Sequence, residues 1–228
     1  MSTAVIIGAS RGLGLALAEE YASRGWDVVA TMRPGGRSNL HELAETMDGG
    51  IEIEQVDINE PGQVGALRER LSGRRIDLLF VNAGVSDGPK QTIAEVSTEA
   101  FIRVMVTNAL SPMRVVEALQ DLVPPTGSIA VMSSGLGSVA NNDRGGWEVY
   151  RGSKAALNTL MRSFAARHEG DPRSLAVIAP GWVRTDMGGP DADLDAKTSI
   201  SGVADTLAAH AGQPGLRYLN YRGETVNW

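Results

Sequence analysis

Gly8-Ala9-Ser10-Arg11-Gly12-Leu13-Gly14 follows the apolar run Ala4–Ile7 and opens the segment Leu13–Arg24, where Leu13, Leu17 and Tyr21 recur at four-residue steps. The run reads as a strand and the four-residue spacing as a helix. Gly8 permits a tight turn between them, Gly12 lets a pyrophosphate approach the backbone, and Gly14 allows close packing of helix on strand. The helix N-terminus adds unpaired N–H groups and a dipole that favour phosphate. A glycine-rich turn without a ligand is the alternative; the strand before it and the helix after it favour a bound nucleotide.

The same alternation continues outward. Strands are expected at Asp27–Met32, Ile51–Val56, Ile76–Val81, Ser128–Met132, Leu175–Ile178 and Leu216–Leu219. Helices are expected at Asn39–Met47, from Pro61 to about Leu71, from Thr98 to about Leu122, at Tyr150–His168 and near Ser201–His210. About seven strands alternating with about six helices predict a single α/β domain over residues 1–228, a doubly wound parallel sheet with helices on both faces. The irregular segments Ser86–Gln91, Gly135–Trp147 and Thr185–Ser199 all follow strands. In such a sheet the ligand crevice lies beyond the carboxyl ends of the strands, so the three loops are expected to form one pocket.

Composition narrows the function classes. The 228 residues carry 21 Lys+Arg against 27 Asp+Glu, and a net charge of −6 argues against a non-specific nucleic-acid binder. There is no cysteine, which excludes a disulfide scaffold, a Cys-ligated zinc site and a cysteine nucleophile, and fits a reducing cytoplasm. His41, His168 and His210 lack the spacing of a helical metal site, so no metal is expected. Apolar runs are strand-sized and fall short of the ~18 residues of a membrane span. Met1–Ser10 lacks the basic and apolar regions of a targeting segment.

Two more constellations carry chemistry. Thr31-Met32-Arg33 ends the second strand without the Asp or Glu that usually meets a free ribose 2′-hydroxyl. Arg33 and Arg11 suit a 2′-phosphate instead, which favours NADP(H) over NAD(H); two solvated surface arginines are the alternative. Tyr150-Arg151-Gly152-Ser153-Lys154 puts a phenol and an ammonium on one helix face. An ammonium there stabilises phenolate, so the tyrosine is expected to titrate below its ordinary value of ~10 and to serve as a proton donor. An ordinary surface pair is the alternative; Ser133-Ser134 at the end of a central strand adds weight to the catalytic reading.

These pieces together resemble the short-chain dehydrogenase/reductase family over nearly the whole chain. The motifs occur in order: Gly8–Gly14, Asp57 after the third strand, Asn82-Ala83-Gly84 after the fourth, Asn108, Ser133-Ser134, Tyr150 with Lys154, and Pro180-Gly181-Trp182-Val183-Arg184-Thr185. The stretches around Tyr150 and Pro180, and Trp228, look like the small C-factor-like and carbonyl-reductase-like branch. The resemblance implies a Rossmann fold with Tyr150 as general acid/base, Lys154 holding the nicotinamide ribose and tuning Tyr150, a serine on the substrate oxygen, and Asn108 holding a water in a proton relay. It implies that Asn82 and Gly84 support the cofactor and sheet, that Asp57 meets the adenine, and that Thr185 meets the carboxamide end. By the same resemblance Ser10, Leu13, Ile58, Ala83, Pro180, Gly181 and Val183 belong to the cofactor site. Asp57 capping the next helix and Asn108 satisfying backbone in a helix kink are the structural alternatives.

The loop Gly135–Trp147 is a few residues longer than the usual family spacing, and Ser134 is chosen over Ser133 by family position. The reading is an NADP(H)-dependent oxidoreductase moving a hydride between nicotinamide and a carbonyl or alcohol carbon. Its rival is an NADP-binding regulatory or signalling protein with little turnover. Met105, Leu136, Trp147, Trp182 and Met187 are expected to form an apolar wall. A homodimer or homotetramer is expected, because Tyr150–His168 carries more apolar residues than one sheet contact needs.

Overall fold

The computed structural model describes residues 1–47, 50–86, 88 and 92–228. Seven strands, β1 (Thr3–Ile7), β2 (Asp27–Met32), β3 (Ile51–Gln55), β4 (Leu78–Val81), β5 (Ser128–Met132), β6 (Ser174–Ala179) and β7 (Gly215–Asn220), form one parallel sheet. Their order is β3-β2-β1-β4-β5-β6-β7. The helices are α1 (Gly12–Ser23), α2 (Asn39–Thr46), α3 (Pro61–Arg70), α4 (Thr98–Met105), α5 (Ser111–Leu119), α6 (Glu148–Arg167) and α7 (Ala196–His210). Strand order reverses between β1 and β4, which are in register from Ala4↔Leu78 to Ile7↔Val81. That reversal opens a crevice at their carboxyl ends, where Gly8 and Asn82 stand.

The inner strands β1, β2, β4, β5 and β6 are buried on both faces, which is why they read as near-continuous apolar runs, while the edge strands β3 and β7 are partly exposed. Val5, Ile7, Leu79, Val81, Ile129, Val131 and Val177 pack on one side with Leu67, Leu119, Leu157, Met161 and Phe164. Their alternate neighbours Ala4, Ile6, Leu78, Phe80, Ala130, Met132 and Ile178 pack on the other with Leu17, Tyr21, Leu40, Val203 and Leu207. The two-residue period of the strand divides the core into these layers. Each fully buried leucine or phenylalanine contributes roughly 1.5–3 kcal/mol, so strand register beneath the crevice is strongly fixed.

Three expectations about elements change. The stretch from Thr98 to Leu122 is not one α-helix: a π-helical turn, Val106–Leu110, separates α4 from α5, and a 3-10 turn, Gln120–Leu122, ends it. Pro112 has no N–H for the Asn108 carbonyl, and its ring crowds that carbonyl. The helix widens by one residue, and Ser111 N–H donates to the Val106 carbonyl. Helix α7 starts at Ala196, well before Ser201, because the Asp195 side chain accepts from Thr198 N–H at 2.7 Å as a cap. The apolar surplus of α6 is mostly core: Leu157, Met161 and Phe164 are buried as one stripe, while Leu160 is 39% exposed. Of the loop Ser86–Gln91, residues 87 and 89–91 lie outside the described residues. Among the described residues no helix is long and apolar enough to cross a membrane.

Candidate active site

The glycine-rich turn is pinned from both neighbouring strands. Gly8 N–H donates to Thr31 Oγ1 at 3.0 Å, Ala9 N–H to the Thr31 carbonyl at 2.7 Å, and Asn82 Nδ2 to the Gly8 carbonyl at 2.8 Å. Gly8 has φ +87°, and a Cβ there would come within 2.8 Å of Ala83 Cβ. A Cβ on Gly14 would overlap the Gly8 carbonyl oxygen and approach Asn82 Nδ2 to 2.6 Å. Gly14 therefore packs helix on strand, as its place in the motif implied. Gly12 differs: at φ +57°, a Cβ would have only Thr185 Cγ2 within 4 Å, at 3.9 Å. Space is left above Gly12, at the start of a helix with no side-chain cap and no acidic residue in its first turn. Its amino-terminal N–H groups and dipole thus face an open cradle suited to phosphate.

A cleft of about 360 Å³ runs from this turn across the sheet, lined by Gly8, Ser10, Gly12, Leu13, Arg33, Asp57, Ile58, Asn82, Ala83, Gly84, Tyr150, Lys154, Pro180, Thr185 and Met187 among others. Arg33 stands at its β2 end and makes no side-chain hydrogen bond or ion pair to the described residues. Arg11 also lines the cleft, but its guanidinium donates to Asp186 at 2.6 Å in a pair exposed on both sides. Such a pair contributes only ~0–1 kcal/mol, so it yields readily to a phosphate. Both expected arginines thus line the cleft, Arg33 unpaired among the described residues and Arg11 paired with Asp186. Asp57 Oδ1 accepts from Asn59 N–H at 2.9 Å, and Asp57 N–H donates to Gln63 Oε1 at 2.8 Å, which ties the residue to the start of α3.

At the other end, Gly181 and Val183 pack against Leu194. Val183 is buried and bridges Leu194, and a Cβ on Gly181 (φ +86°) would meet Leu194 Cδ1 at 2.6 Å. These contacts shape the loop after β6. Thr185 Oγ1 accepts from Gly188 N–H at 3.1 Å, and Trp182 Nε1 donates to the Gly188 carbonyl at 2.8 Å, so this loop is held by its own hydrogen bonds. Of the expected apolar wall, Met187 lines the cleft. Trp147 packs its ring on Tyr150 with centroids 5.9 Å apart. Trp147 is also the one non-glycine with positive φ among the described residues, at 55°.

The polar cluster at the cleft floor comes from four elements. Asn108, in the π turn, accepts from Val85 N–H at 2.8 Å, and its Nδ2 donates to the Val85 carbonyl at 2.8 Å and to Ser153 Oγ at 2.9 Å. Asn108 thus does satisfy backbone groups, but those of Val85 beyond β4 rather than those of its own helix. Gly84 has no side chain because a Cβ there would stand 3.3 Å from both Asn108 Oδ1 and Lys154 Nζ. Lys154 is buried on α6, and its Nζ donates to the Met132 carbonyl at 2.9 Å. Ser133 is buried and donates to Asn158 Oδ1 at 2.7 Å. Ser134 accepts from Leu136 N–H at 3.1 Å, and its hydroxyl lies against the Tyr150 phenol. The two serines differ: Ser134 stands beside Tyr150, whereas Ser133 lines the cleft and spends its hydroxyl on Asn158.

Electrostatics correct one expectation. Burial pushes the Tyr150 phenol up to about 12, with Ser134 pulling the other way. Burial pulls the Lys154 ammonium down to about 8. Lys154 Nζ is 5.7 Å from the Tyr150 ring centre and bonded elsewhere, so in the protein itself desolvation outweighs any help from the ammonium. Tyr150 is a neutral phenol across the physiological range.

Sequence reading missed Thr31, Asn158, Ser153 and Tyr218 in this neighbourhood. Asn158 lies one turn beyond Lys154 on α6, a spacing that shares a face. Tyr218 comes from the distant β7, and no local signal points to it.

The sequence profile of the short chain dehydrogenase family matches residues 2–194. The chain is 36% identical over 155 residues to C-signal of Myxococcus xanthus, a match spanning 67% of this chain and 93% of that one. Its fold matches a short-chain dehydrogenase/reductase from Burkholderia multivorans, crystallised with bound NADP, at a TM-score of 0.98 and 58% identity, covering 100% and 99% of the two chains. It also matches a carbonyl reductase from Pseudomonas aeruginosa PAO1 in complex with NADP, at a TM-score of 0.92 and 39% identity, with 100% of each chain covered.

Proposed function

Because the chain belongs to the short-chain dehydrogenase family, we propose that it is an NADP(H)-dependent carbonyl reductase with Tyr150 as general acid/base. The observation that carries this reading is that Tyr150 and Lys154 line one end of a cleft, with Ser134 and Asn108 packed beside them, and that the other end is an open phosphate cradle. The glycine turn and the α1 N-terminus would hold the pyrophosphate, Arg33 the 2′-phosphate, Asp57 and Ile58 the adenine side, and Lys154 and Thr185 the nicotinamide side. NADPH, when bound, supplies the hydride to the carbonyl carbon.

The protein's own part is proton transfer and orientation. Ser134 and Tyr150 bond the carbonyl oxygen, where negative charge develops in the transition state. The Tyr150 hydroxyl gives its proton to that oxygen, and the alcohol leaves with a new C–H and a new O–H bond. The phenolate is reprotonated from the side of Lys154 and Asn108, which face each other across Gly84. Half-buried Trp147 beside Tyr150 and exposed Met187 on the cleft wall suit a substrate with an apolar substituent. A signalling role is supported by the name of the Myxococcus xanthus relative; the complete catalytic set weighs against it. The absence of cysteine supports a reducing cytoplasm. Steady-state NADPH oxidation with aldehydes, ketones and quinones tests the proposal: saturable turnover is expected, and NADPH binding without turnover of any carbonyl would overturn it.

NADPH is expected to be preferred over NADH. A charge-assisted guanidinium–phosphate hydrogen bond contributes ~1.5–3 kcal/mol. Arg33→Asp should therefore lower kcat/KM for NADPH by about tenfold to a hundredfold and leave NADH far less affected. Equal kcat/KM for both cofactors in the wild type would contradict the assignment.

A homodimer or homotetramer is also proposed. Phe101 and Ile102 on α4, Leu110 in the π turn and Leu160 on α6 are exposed, at 40%, 53%, 41% and 39%. Sedimentation equilibrium at micromolar concentration should give two or four times the chain mass of 24.1 kDa; the single-chain mass would refute association.

A further inference from the structure

We propose that Tyr218, buttressed by Trp228, is a positioning residue that sets the catalytic serine; the role rests on the reductase reading above. A hydroxyl that must meet a developing oxyanion is only as well placed as the backbone carrying it, and residue 134 lies just past the end of β5, where the sheet no longer fixes it. Its backbone is held from elsewhere. The Tyr218 hydroxyl donates to the Ser134 carbonyl. Tyr218 sits on β7, with β6 between it and β5, so its side chain reaches past a whole strand to make this bond. It is 1% exposed, and its hydroxyl also faces the Ser133 and Asn158 side chains.

The anchor is itself braced. Val226 N–H donates to the Tyr218 carbonyl at 2.8 Å, so the segment after β7 doubles back along it. The Trp228 ring packs on the Tyr218 ring with centroids 5.2 Å apart, and the Arg162 guanidinium of α6 covers Trp228 at 4.8 Å. Trp228 also accepts from Ala140 N–H at 3.0 Å, which ties the loop after the catalytic serine to the same post. On the inner side, Asn158 takes the Ser133 hydroxyl and gives Nδ2 to the Gly137 carbonyl at 3.2 Å. Residues 133–140 are therefore clamped between α6 and the Tyr218–Trp228 pair. Tyr218 touches neither the cleft nor its contents; its effect on chemistry passes through Ser134.

The test is a double-mutant cycle of Tyr218→Phe and Ser134→Ala in the full chain, reading p-nitrobenzaldehyde reduction by NADPH. Tyr218→Phe keeps the ring and its packing on Trp228. It should lower kcat about tenfold, the scale of a modest misplacement of a catalytic group, with NADPH affinity by fluorescence unchanged. In the Ser134→Ala background it should cost little more, because the group it positions is gone. An equal loss in both backgrounds overturns the role, since a general loosening of the fold would be additive. An unchanged kcat in Tyr218→Phe overturns it too. Should Tyr218→Phe fail to fold, Trp228→Phe replaces it: a smaller fall in kcat that vanishes with Ser134→Ala supports the role, and equal losses or none oppose it. A wild type inactive on every carbonyl defeats the reductase reading and this role with it; an active wild type with an indifferent Tyr218→Phe defeats this role alone.

Discussion

Tyr150→Phe is expected to cut carbonyl reduction by ~10²-fold or more, the usual scale for a positioned acid/base, while NADPH still binds. The substitution removes one hydroxyl and little volume. The ring contact with Trp147 remains, and so do the bonds of Lys154 to the Met132 carbonyl and of Ser134 to Leu136 N–H. The Ser134 hydroxyl keeps Leu136 N–H as its partner, so the change breaks none of the hydrogen bonds of the described neighbours. Chemistry is therefore the property that changes. A phenol raised to about 12 by burial is protonated throughout the neutral range, which is the form that reduction consumes. The check pairs kcat with fluorescence-detected NADPH binding in the same preparation. Retention of most of the activity would take Tyr150 out of the mechanism and restore the signalling reading.

The middle of the sheet was legible because its inner strands are buried on both faces: β2 and β5 run over the residues that the apolar runs mark, Asp27–Met32 and Ser128–Met132. The glycine turn was legible for a related reason. Backbone requirements at Gly8, Gly12 and Gly14 are local, and each left a glycine at a fixed offset. The π turn was not legible, because its cause is a conflict. Pro112 forbids one α-helical bond while Asn108 finds three partners outside the helix, and helical periodicity alone does not register a single widened turn. The Tyr150 environment failed for a different reason. Spacing along α6 correctly put Tyr150 and Lys154 on one face, but their protonation depends on how much of the rest of the chain excludes water from them. Arg11 shows the same limit: its partner Asp186 is 175 residues away in the chain, and no local pattern announces the pair.

Lys154→Met should abolish most turnover, by ~10²–10³-fold, and yet raise the melting temperature near neutral pH. The folded-state value of Lys154 is about 8 against an ordinary 10.5, so the folded protein binds the proton more weakly than the unfolded chain does. Between those values the unfolded chain holds a proton the folded chain has released, and wild-type stability rises with pH through that window. Below about pH 8 both states are protonated, and the full cost of burying the ammonium is present. At ~1.4 kcal/mol per pKa unit that cost is roughly 3 kcal/mol. Methionine removes it but leaves the Met132 carbonyl without its donor, a loss of ~1–3 kcal/mol. The net gain, about 1 kcal/mol, corresponds to ~2–4 °C in a domain of this size. The gain should be largest below pH 8 and shrink toward pH 10.5, because the wild type sheds its penalty as Lys154 deprotonates. Thermal scans of both proteins across that range, beside steady-state rates, are the measurement. A variant that melts below the wild type by the same margin at every pH would mean that the buried ammonium is stabilising. A more stable, less active variant would show that Lys154 is kept against its cost to the fold, as a residue retained for chemistry should be.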